Sequence, residues 1–216
     1  MNVITDNSDL FLTGFKNTGI LFVIAAFFAL ILGTIVAGMR VSPAPAMRAT
    51  GTIYVNFVRN TPLTLILAFF ALGYPKLGLP PVSFLAAAAI GLSLYTATYV
   101  SEAIRSGINT VSVGQSEAAR AIGLPFMQTL SLIVLPQAFR SVVPPLFSVF
   151  IALLKNTTVA AGFSVFEAGA IRAYLSERGE PLLPGLLWVA VIFVVLVLGI
   201  LTPLQRYLEK KWKVAR

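Results

Sequence analysis

The chain has 216 residues, of which 57% are hydrophobic and 11% charged, and a formal net charge of +8. A soluble domain carries about 25% charged residues. This composition therefore excludes a soluble domain and predicts an integral membrane protein. The absence of Cys and His removes disulfides, thiolate metal sites and the usual catalytic base. The positive charge is typical of a polytopic protein with basic cytoplasmic edges, and no basic stripe with interleaved aromatics indicates nucleic-acid binding.

The first predicted span covers about residues 17–39. A cleaved signal peptide would have a basic start and a shorter apolar core of ~7–15 residues, whereas two Asp residues and a single Lys precede this run. Three arginines follow it with no acid among them: Arg40, Arg48 and Arg59. This asymmetry places the amino terminus outside and the segment 40–61 inside.

The second predicted span, about residues 51–74, is interrupted by Arg59 and Pro62. Its uninterrupted apolar part, 63–72, is too short to cross ~30 Å of hydrocarbon alone. Two structures fit: a helix that starts in the cytoplasmic interface and kinks near Pro62, or a helix broken between Arg59 and Pro62. Two roles are open for Arg59: a snorkelling anchor, or a group that gates the path or binds an anionic substrate.

The third predicted span covers about residues 82–104, after a Pro- and Gly-rich connector expected outside. Small residues at 86–91 favour close approach of a neighbouring helix. Glu102 and Arg105 are three positions apart, so on a continuing helix they are predicted to pair at the cytoplasmic edge.

A compact helix is predicted within the loop 114–136, between the third and fourth spans. Helix formers at 118–121 are followed by Gly123 and Pro125, which predict its end. From the residues alone, it could equally be an amphipathic helix resting on the bilayer.

The fourth predicted span, about residues 141–163, contains Lys155, Asn156, Thr157 and Thr158. A Lys inside a span costs ~2.5–3.5 kcal/mol on insertion scales and usually faces protein or water. Lys155 could snorkel to the outer surface. Alternatively, the four residues line a translocation path, where the ammonium favours an anion and the neutral groups offer hydrogen bonds.

The fifth predicted span covers about residues 183–205. Before it, residues 164–185 carry a balanced mixture of charges, typical of an external loop, for which one short helix is predicted. After it, a basic tail runs from Arg206 to Arg216. The positive-inside rule places this tail in the cytoplasm.

The loop 114–136 carries a fixed pattern: Glu117-Ala118-Ala119, then Gly123, then Ile133-x-Leu135-Pro136. This pattern resembles the EAA loop of bacterial ATP-binding cassette (ABC) importer permeases. The resemblance implies that the loop forms a coupling helix in a groove of a cytoplasmic ATPase. The residues expected at that contact are Glu117, Ala118, Ala119, Gly123 and Leu124.

Other motifs resemble the polar amino-acid branch of these permeases. Residues 54–63 have the form Y-x-x-F-x-R-x-T-P-L, which includes Arg59 and Thr61. Together with Lys155-Asn156-Thr157-Thr158, they resemble the GluC-type glutamate permeases. The resemblance implies three kinds of partner: an ATPase dimer, a second and different permease, and an extracellular solute-binding protein.

The resemblance also bears on substrate and energy. Permeases for cationic amino acids tend to have an acid where Asn156 stands, so an acidic or neutral amino acid is expected: glutamate, with glutamine or aspartate as alternatives. No phosphate-binding G-x-x-x-x-G-K-[ST] loop occurs in the chain. ATP and Mg are therefore expected on the ATPase, with no cofactor, metal or catalytic residue on this chain.

The resulting fold prediction is one all-α integral membrane domain over residues 1–216. It has five transmembrane helices, a cytoplasmic coupling helix between the third and fourth, an outer amino terminus and an inner carboxyl terminus. The predicted location is the bacterial inner or plasma membrane. A stand-alone channel or ion-coupled carrier is a less favoured alternative because the spans hold almost no carboxylate for an ion site, and a membrane enzyme is disfavoured by the missing His and Cys.

Overall fold

A computed structural model describes residues 3–211, and within that range the chain is helical with no strand. The end of the predicted basic tail, 212–216, lies outside the described residues. The α-helices in chain order are α1 (Val3–Asp6), α2 (Ser8–Val41), α3 (Pro45–Arg59), α4 (Leu63–Ala68), α5 (Phe84–Asn109), α6 (Val113–Ala121), α7 (Phe126–Gln128), α8 (Leu135–Asn156), α9 (Ile171–Glu177), α10 (Leu182–Leu196) and α11 (Thr202–Lys211).

Turns of wider or tighter helix extend several of these elements. Wider π-helical turns follow α4, α7 and α10, at Phe69–Gly73, Thr129–Val134 and Val197–Leu201. Tighter 3₁₀ turns occur at Tyr74–Leu77, Thr157–Phe163 and Ala168–Ala170. Because of the π-helical turns, α7 runs into α8, and α10 runs into α11, without a break.

Four helical segments of the described chain are long and apolar enough to cross a membrane: Ser8–Val41, Phe84–Asn109, Thr129–Phe163 and Leu182–Lys211. Each begins before the corresponding predicted span or ends after it. The reason is that a hydrophobic run marks only the part of a helix that lies in hydrocarbon, while backbone hydrogen bonding continues into the polar flanks.

The predicted second span is not one straight helix. The chain ends α3 at Arg59 and starts α4 at Leu63, and the two axes meet at 95°. Proline has no N–H to donate, and it disfavours helical geometry at the preceding Thr61. Of the two structures left open by the sequence, the break between Arg59 and Pro62 is therefore the one adopted. Counting the bent pair as one span brings the total to five.

Helices α2 and α5 form the most extensive contact of the fold. Small residues make it possible: a β-carbon placed on Gly33 of α2 would lie 2.6 Å from the Val100 Cβ and 2.8 Å from the Ala97 carbonyl oxygen of α5. Ala25 and Ala29, which are also buried, lie on the same side of α2 as Gly33. Small side chains allow the two backbones to approach closely, which is how helices pack in a bilayer.

The predicted external loop is tied to α2 through a buried carboxylate. Glu167 is fully buried, and it accepts hydrogen bonds from the Thr18 hydroxyl at 3.3 Å and the Gly169 N–H at 2.9 Å. Beside it, the Asn17 amide donates to the Phe166 carbonyl at 2.8 Å. Burial raises the pKa of the Glu167 carboxyl above its usual value, against the opposing effect of these hydrogen bonds. The loop also contains the predicted short helix, as α9.

Candidate functional site

Helix α6 is closed at its carboxyl end by a Schellman motif. Gly123 has a φ of +86°, its N–H donates to the Arg120 carbonyl at 2.9 Å, and the Leu124 N–H donates to the Ala119 carbonyl at 3.0 Å. Both bonds satisfy carbonyls that a helix end leaves free. A β-carbon on Gly123 would meet no atom within 4 Å. Glycine is therefore favoured here by the backbone conformation and not by lack of space.

The five residues predicted to contact an ATPase differ in accessibility. Glu117, Ala118 and Gly123 are exposed, Leu124 is half-buried, and Ala119 is buried within this chain. Ala119 therefore packs against the rest of this chain. The accessible surface of this segment is formed by Glu117, Ala118 and Gly123.

Exposed apolar side chains flank this surface. Val113 at the start of α6 is 70% exposed and Ile122 just after its end is 80% exposed. The Gln137 side-chain amide of α8 donates both to the Gln115 side-chain oxygen of α6 and to the Ile133 carbonyl. Helix α6 is thus tied directly to α8, the helix that ends at Asn156.

A partly polar cavity of about 310 Å³ lies between α5 and α8. Three of its lining residues come from α5 and five from α8: Tyr95, Thr96, Tyr99, Ser148, Val149, Ala152, Leu153 and Asn156. The Tyr95 and Tyr99 hydroxyl oxygens lie 2.9 Å apart and share a hydrogen bond. Hydroxyl and amide groups on apolar walls are typical of a site for a small polar molecule, and the volume lies at the lower end of the usual ~300–1,000 Å³.

The residues predicted to line a path at the end of α8 occupy different environments. Asn156 lines the cavity, whereas Lys155 is exposed and has no ion-pair partner among the described residues. Thr157 is fully buried, and its hydroxyl donates to the Leu154 carbonyl at 2.7 Å. The Thr158 hydroxyl donates to the Lys155 carbonyl, also at 2.7 Å. Both hydroxyls are thus bonded to their own helix.

The other two predicted path residues lie near the bend between α3 and α4. The Thr61 hydroxyl donates to the Phe57 carbonyl at 2.8 Å. The Arg59 guanidinium carbon lies 5.5 Å from the centre of the Tyr99 ring, within the range of a cation–π contact. Because Tyr99 also lines the cavity, Arg59 reaches the edge of the same site as Asn156.

Arg59 also takes part in an ion-pair cluster around Glu102, in the carboxyl-terminal part of α5. The predicted pair is confirmed, with Arg105 Nη2 2.9 Å from Glu102 Oε2. The Arg40 guanidinium of α2 lies 2.9 Å from Glu102 Oε1, and that of Arg59 lies 3.8 Å from the same oxygen. One carboxylate therefore joins three helices.

Sequence reasoning missed four polar residues of the cavity lining: Tyr95, Thr96, Tyr99 and Ser148. Polar side chains inside an apolar span are uncommon and often face a cavity, and the spacing of four residues places Tyr95 and Tyr99 on one side of α5. The polar side chains and their spacing could thus have been noticed in the sequence. No sequence pattern, however, identified α8 as the helix that faces them.

The chain matches the sequence profile of a family described as "Binding-protein-dependent transport system inner membrane component" over residues 29–214. It is 42% identical, over 87% of its length and 88% of the relative's, to the glutamate transport system permease protein GluC of Corynebacterium efficiens. It is 44% identical to the protein of the same name in Corynebacterium glutamicum, over 81% and 82% of the two lengths. The probable glutamine ABC transporter permease protein GlnM of Bacillus subtilis is 35% identical, over 98% and 97%.

Solved structures share the fold. A chain of an amino acid ABC transporter superimposes with a TM-score of 0.91 over 96% of both chains, at 24% identity. A chain of the MetNI methionine ABC transporter superimposes with a TM-score of 0.77 over 97% of this chain and 99% of its own length, at 18% identity.

Proposed function

The chain belongs to the family of binding-protein-dependent transport system inner membrane components, and from that premise we propose that it forms half of the translocation path of an ATP-driven glutamate importer. It is an amino-acid ABC transporter permease and a multi-pass protein of the inner membrane. In the proposed topology the amino terminus lies outside and the carboxyl terminus inside, as the distribution of basic residues favours.

The cavity between α5 and α8 is the observation that carries the substrate proposal. Its polar groups are the Asn156 amide and the hydroxyls of Tyr95, Thr96, Tyr99 and Ser148, which are neutral hydrogen-bonding partners. These groups can donate hydrogen bonds to a carboxylate or amide side chain, whereas the described lining offers no carboxylate to pair with a guanidinium or ammonium. Two relatives above 40% identity are glutamate permeases by name. Glutamine and aspartate are the alternative substrates.

The energy for transport is proposed to come from a separate ATPase dimer, which would bind ATP and Mg. Helix α6 would be its docking element, with Glu117, Ala118 and Gly123 on the accessible surface and Ile122 as an apolar anchor. The hydrogen bond between Gln115 and Gln137 would pass its motion to α8. A second, different permease is proposed to complete the path, and an extracellular solute-binding protein to deliver the substrate.

The Asn156→Asp variant tests the substrate assignment. A carboxylate here would repel a bound carboxylate by about 4 kcal/mol at a separation of 4 Å and an effective dielectric of ~20. We therefore expect ATP-dependent L-glutamate uptake by the reconstituted complete transporter to fall at least tenfold, with a smaller loss of L-glutamine uptake.

The matched control is Asn109→Asp, which places the same charge at an exposed position near the end of α5. It should keep uptake within about threefold of wild type, because a terminal charge of this kind costs only ~0.3–1 kcal/mol. If Asn156→Asp changes neither the glutamate rate nor the preference over glutamine, the cavity is not the substrate site.

A further inference from the structure

The Glu102 carboxylate is shared by guanidinium groups from three helices. Arg40 Nη2 lies 2.9 Å from one of its oxygens and Arg105 Nη2 lies 2.9 Å from the other. Arg59 Nη1 approaches no closer than 3.8 Å, beyond the ~3.2 Å limit of a hydrogen bond. Arg59 is therefore the arginine that Glu102 holds least firmly.

The cluster has more positive charge than Glu102 can neutralise. Three guanidinium groups and one carboxylate leave a net charge of +2. The Arg40 side chain is only 9% exposed, so it cannot accept a further partner from solution. The Arg59 side chain is 50% exposed, against 39% for that of Arg105, so Arg59 is the arginine of the cluster that an anion from solution reaches most easily. Excess charge near a membrane edge attracts anions more strongly than it would in bulk water.

Arg59 is also positioned next to the cavity. Its guanidinium lies over the Tyr99 ring at 5.5 Å, and the hydroxyl of the same tyrosine bonds to Tyr95 within the cavity lining. A small anion that left the Asn156 end of the cavity along Tyr99 would meet Arg59 next. The bend of 95° follows immediately, between Arg59 and Leu63, so Arg59 is the last residue of α3 before the chain changes direction.

We propose that Arg59 is a second binding station, which takes the carboxylate of the transported amino acid at the predicted cytoplasmic end of the cavity. Glu102 competes for the same guanidinium and recovers it when the substrate leaves. The exchange involves ion pairs only, and no covalent bond changes. This inference rests on the proposed function, because it assumes that the substrate is an amino acid with a free carboxylate.

Direct binding of radiolabelled L-glutamate tests this station, using the permease–ATPase complex without its binding protein, in nanodiscs of phosphatidylcholine. We expect Arg59→Gln to raise the Kd at least tenfold. Arg59→Lys should raise it less, because an ammonium keeps the charge but cannot bind a carboxylate through two parallel N–H groups.

The matched control is Arg105→Gln, which removes a closer partner of the same Glu102 carboxylate. It lowers the positive charge of the cluster by the same amount but leaves the contact between Arg59 and Tyr99 in place, so it should raise the Kd less than Arg59→Gln does. Equal effects of Arg59→Gln and Arg105→Gln would show that the cluster serves only to hold the helices together, and would overturn the proposal. Unchanged binding in both Arg59 variants would also overturn it.

Two further outcomes separate this inference from its rivals. A phosphate headgroup could occupy Arg59 instead; if the Kd difference between wild type and Arg59→Gln appears only in nanodiscs that contain phosphatidylglycerol, the ligand is lipid and the proposal fails. If the wild-type complex shows no glutamate binding, the station is refuted. ATP-driven glutamate uptake by the complete transporter would still support the proposed function in that case.

Discussion

Glu167 is buried where the segment after α8 meets α2, and no described residue forms an ion pair with its carboxylate. It accepts hydrogen bonds from Thr18 and Gly169, but burial has the larger effect and raises its pKa. A raised pKa means that the folded state binds the proton more tightly than the unfolded state. The stabilisation associated with this proton is fully present below the ordinary value of 4.5 and is lost as the pH rises through the folded-state pKa.

The Glu167→Gln variant should therefore change the pH dependence of stability. As the pH rises above 4.5, the melting temperature of the purified wild-type protein in detergent should fall relative to that of the variant. Each kcal/mol corresponds to about 2–4 °C in a protein of this size. Thermal unfolding followed by intrinsic fluorescence at several pH values measures the difference.

Glu177→Gln is the control for this experiment, because Glu177 is an exposed carboxylate in α9 of the same segment. It leaves Glu167 in place, so its melting temperature should fall with rising pH as that of the wild-type protein does. The explanation given for Glu167 is wrong if both variants follow the same pH curve.

At the scale of a single element, helix α6 depends on how it ends. The Schellman motif requires a left-handed residue, and Gly123 provides it with a φ of +86°. An L-residue in this conformation costs roughly 1–2 kcal/mol. A nine-residue helix has little stability of its own to offset this cost, because short helices are marginal without tertiary support.

Gly123→Ala should therefore fray the end of α6 and move Ile122. We expect less ATPase to co-purify with the permease and uptake to fall several-fold, while the transmembrane helices stay folded. Co-purification from membranes and the uptake rate are the two measurements.

Gly114→Ala is the matched control, since Gly114 lies in the same helix, has an ordinary φ and has no atom within 4 Å of an added β-carbon. It should leave assembly intact and favour the helix by up to ~1 kcal/mol. If Gly123→Ala retains as much ATPase as Gly114→Ala does, α6 is not the docking element.

For the molecule as a whole, stability depends on the close contact between α2 and α5. Gly33→Ala would place a methyl group 2.8 Å from the Ala97 carbonyl oxygen, a backbone atom that cannot move aside cheaply. Overpacking of this kind costs ~1–3 kcal/mol. We expect the variant to melt several degrees below wild type in detergent.

Gly38→Ala lies on the same helix with nothing within 4 Å of the added carbon. It should melt at the wild-type temperature or above it. Equal melting temperatures of the two variants would indicate that α2 and α5 do not approach each other this closely.

Several features of this protein follow from the sequence alone because they depend on local interactions. Apolar runs identify the membrane-crossing helices, since hydrocarbon selects for uninterrupted hydrophobicity. Gly123 identifies the end of α6 through its own backbone preference. The pair Glu102 and Arg105 follows from their spacing on one helix. The motif at 117–136 was sufficient to indicate the family, to which the chain indeed belongs.

The cavity between α5 and α8 and the ion pairs of Glu102 with Arg40 and Arg59 could not be predicted from the sequence, because they depend on how the helices pack against each other. Lys155 and Asn156 are adjacent in sequence, yet only Asn156 lines the cavity, because successive residues of a helix point about 100° apart. The side of α8 that faces α5 is set by contacts between residues some fifty positions apart, and no local pattern encodes it. The same holds for Arg40 and Arg59: their charges indicated topology, but only the tertiary structure brought them to one carboxylate, because ion pairs between helices require both backbones in place.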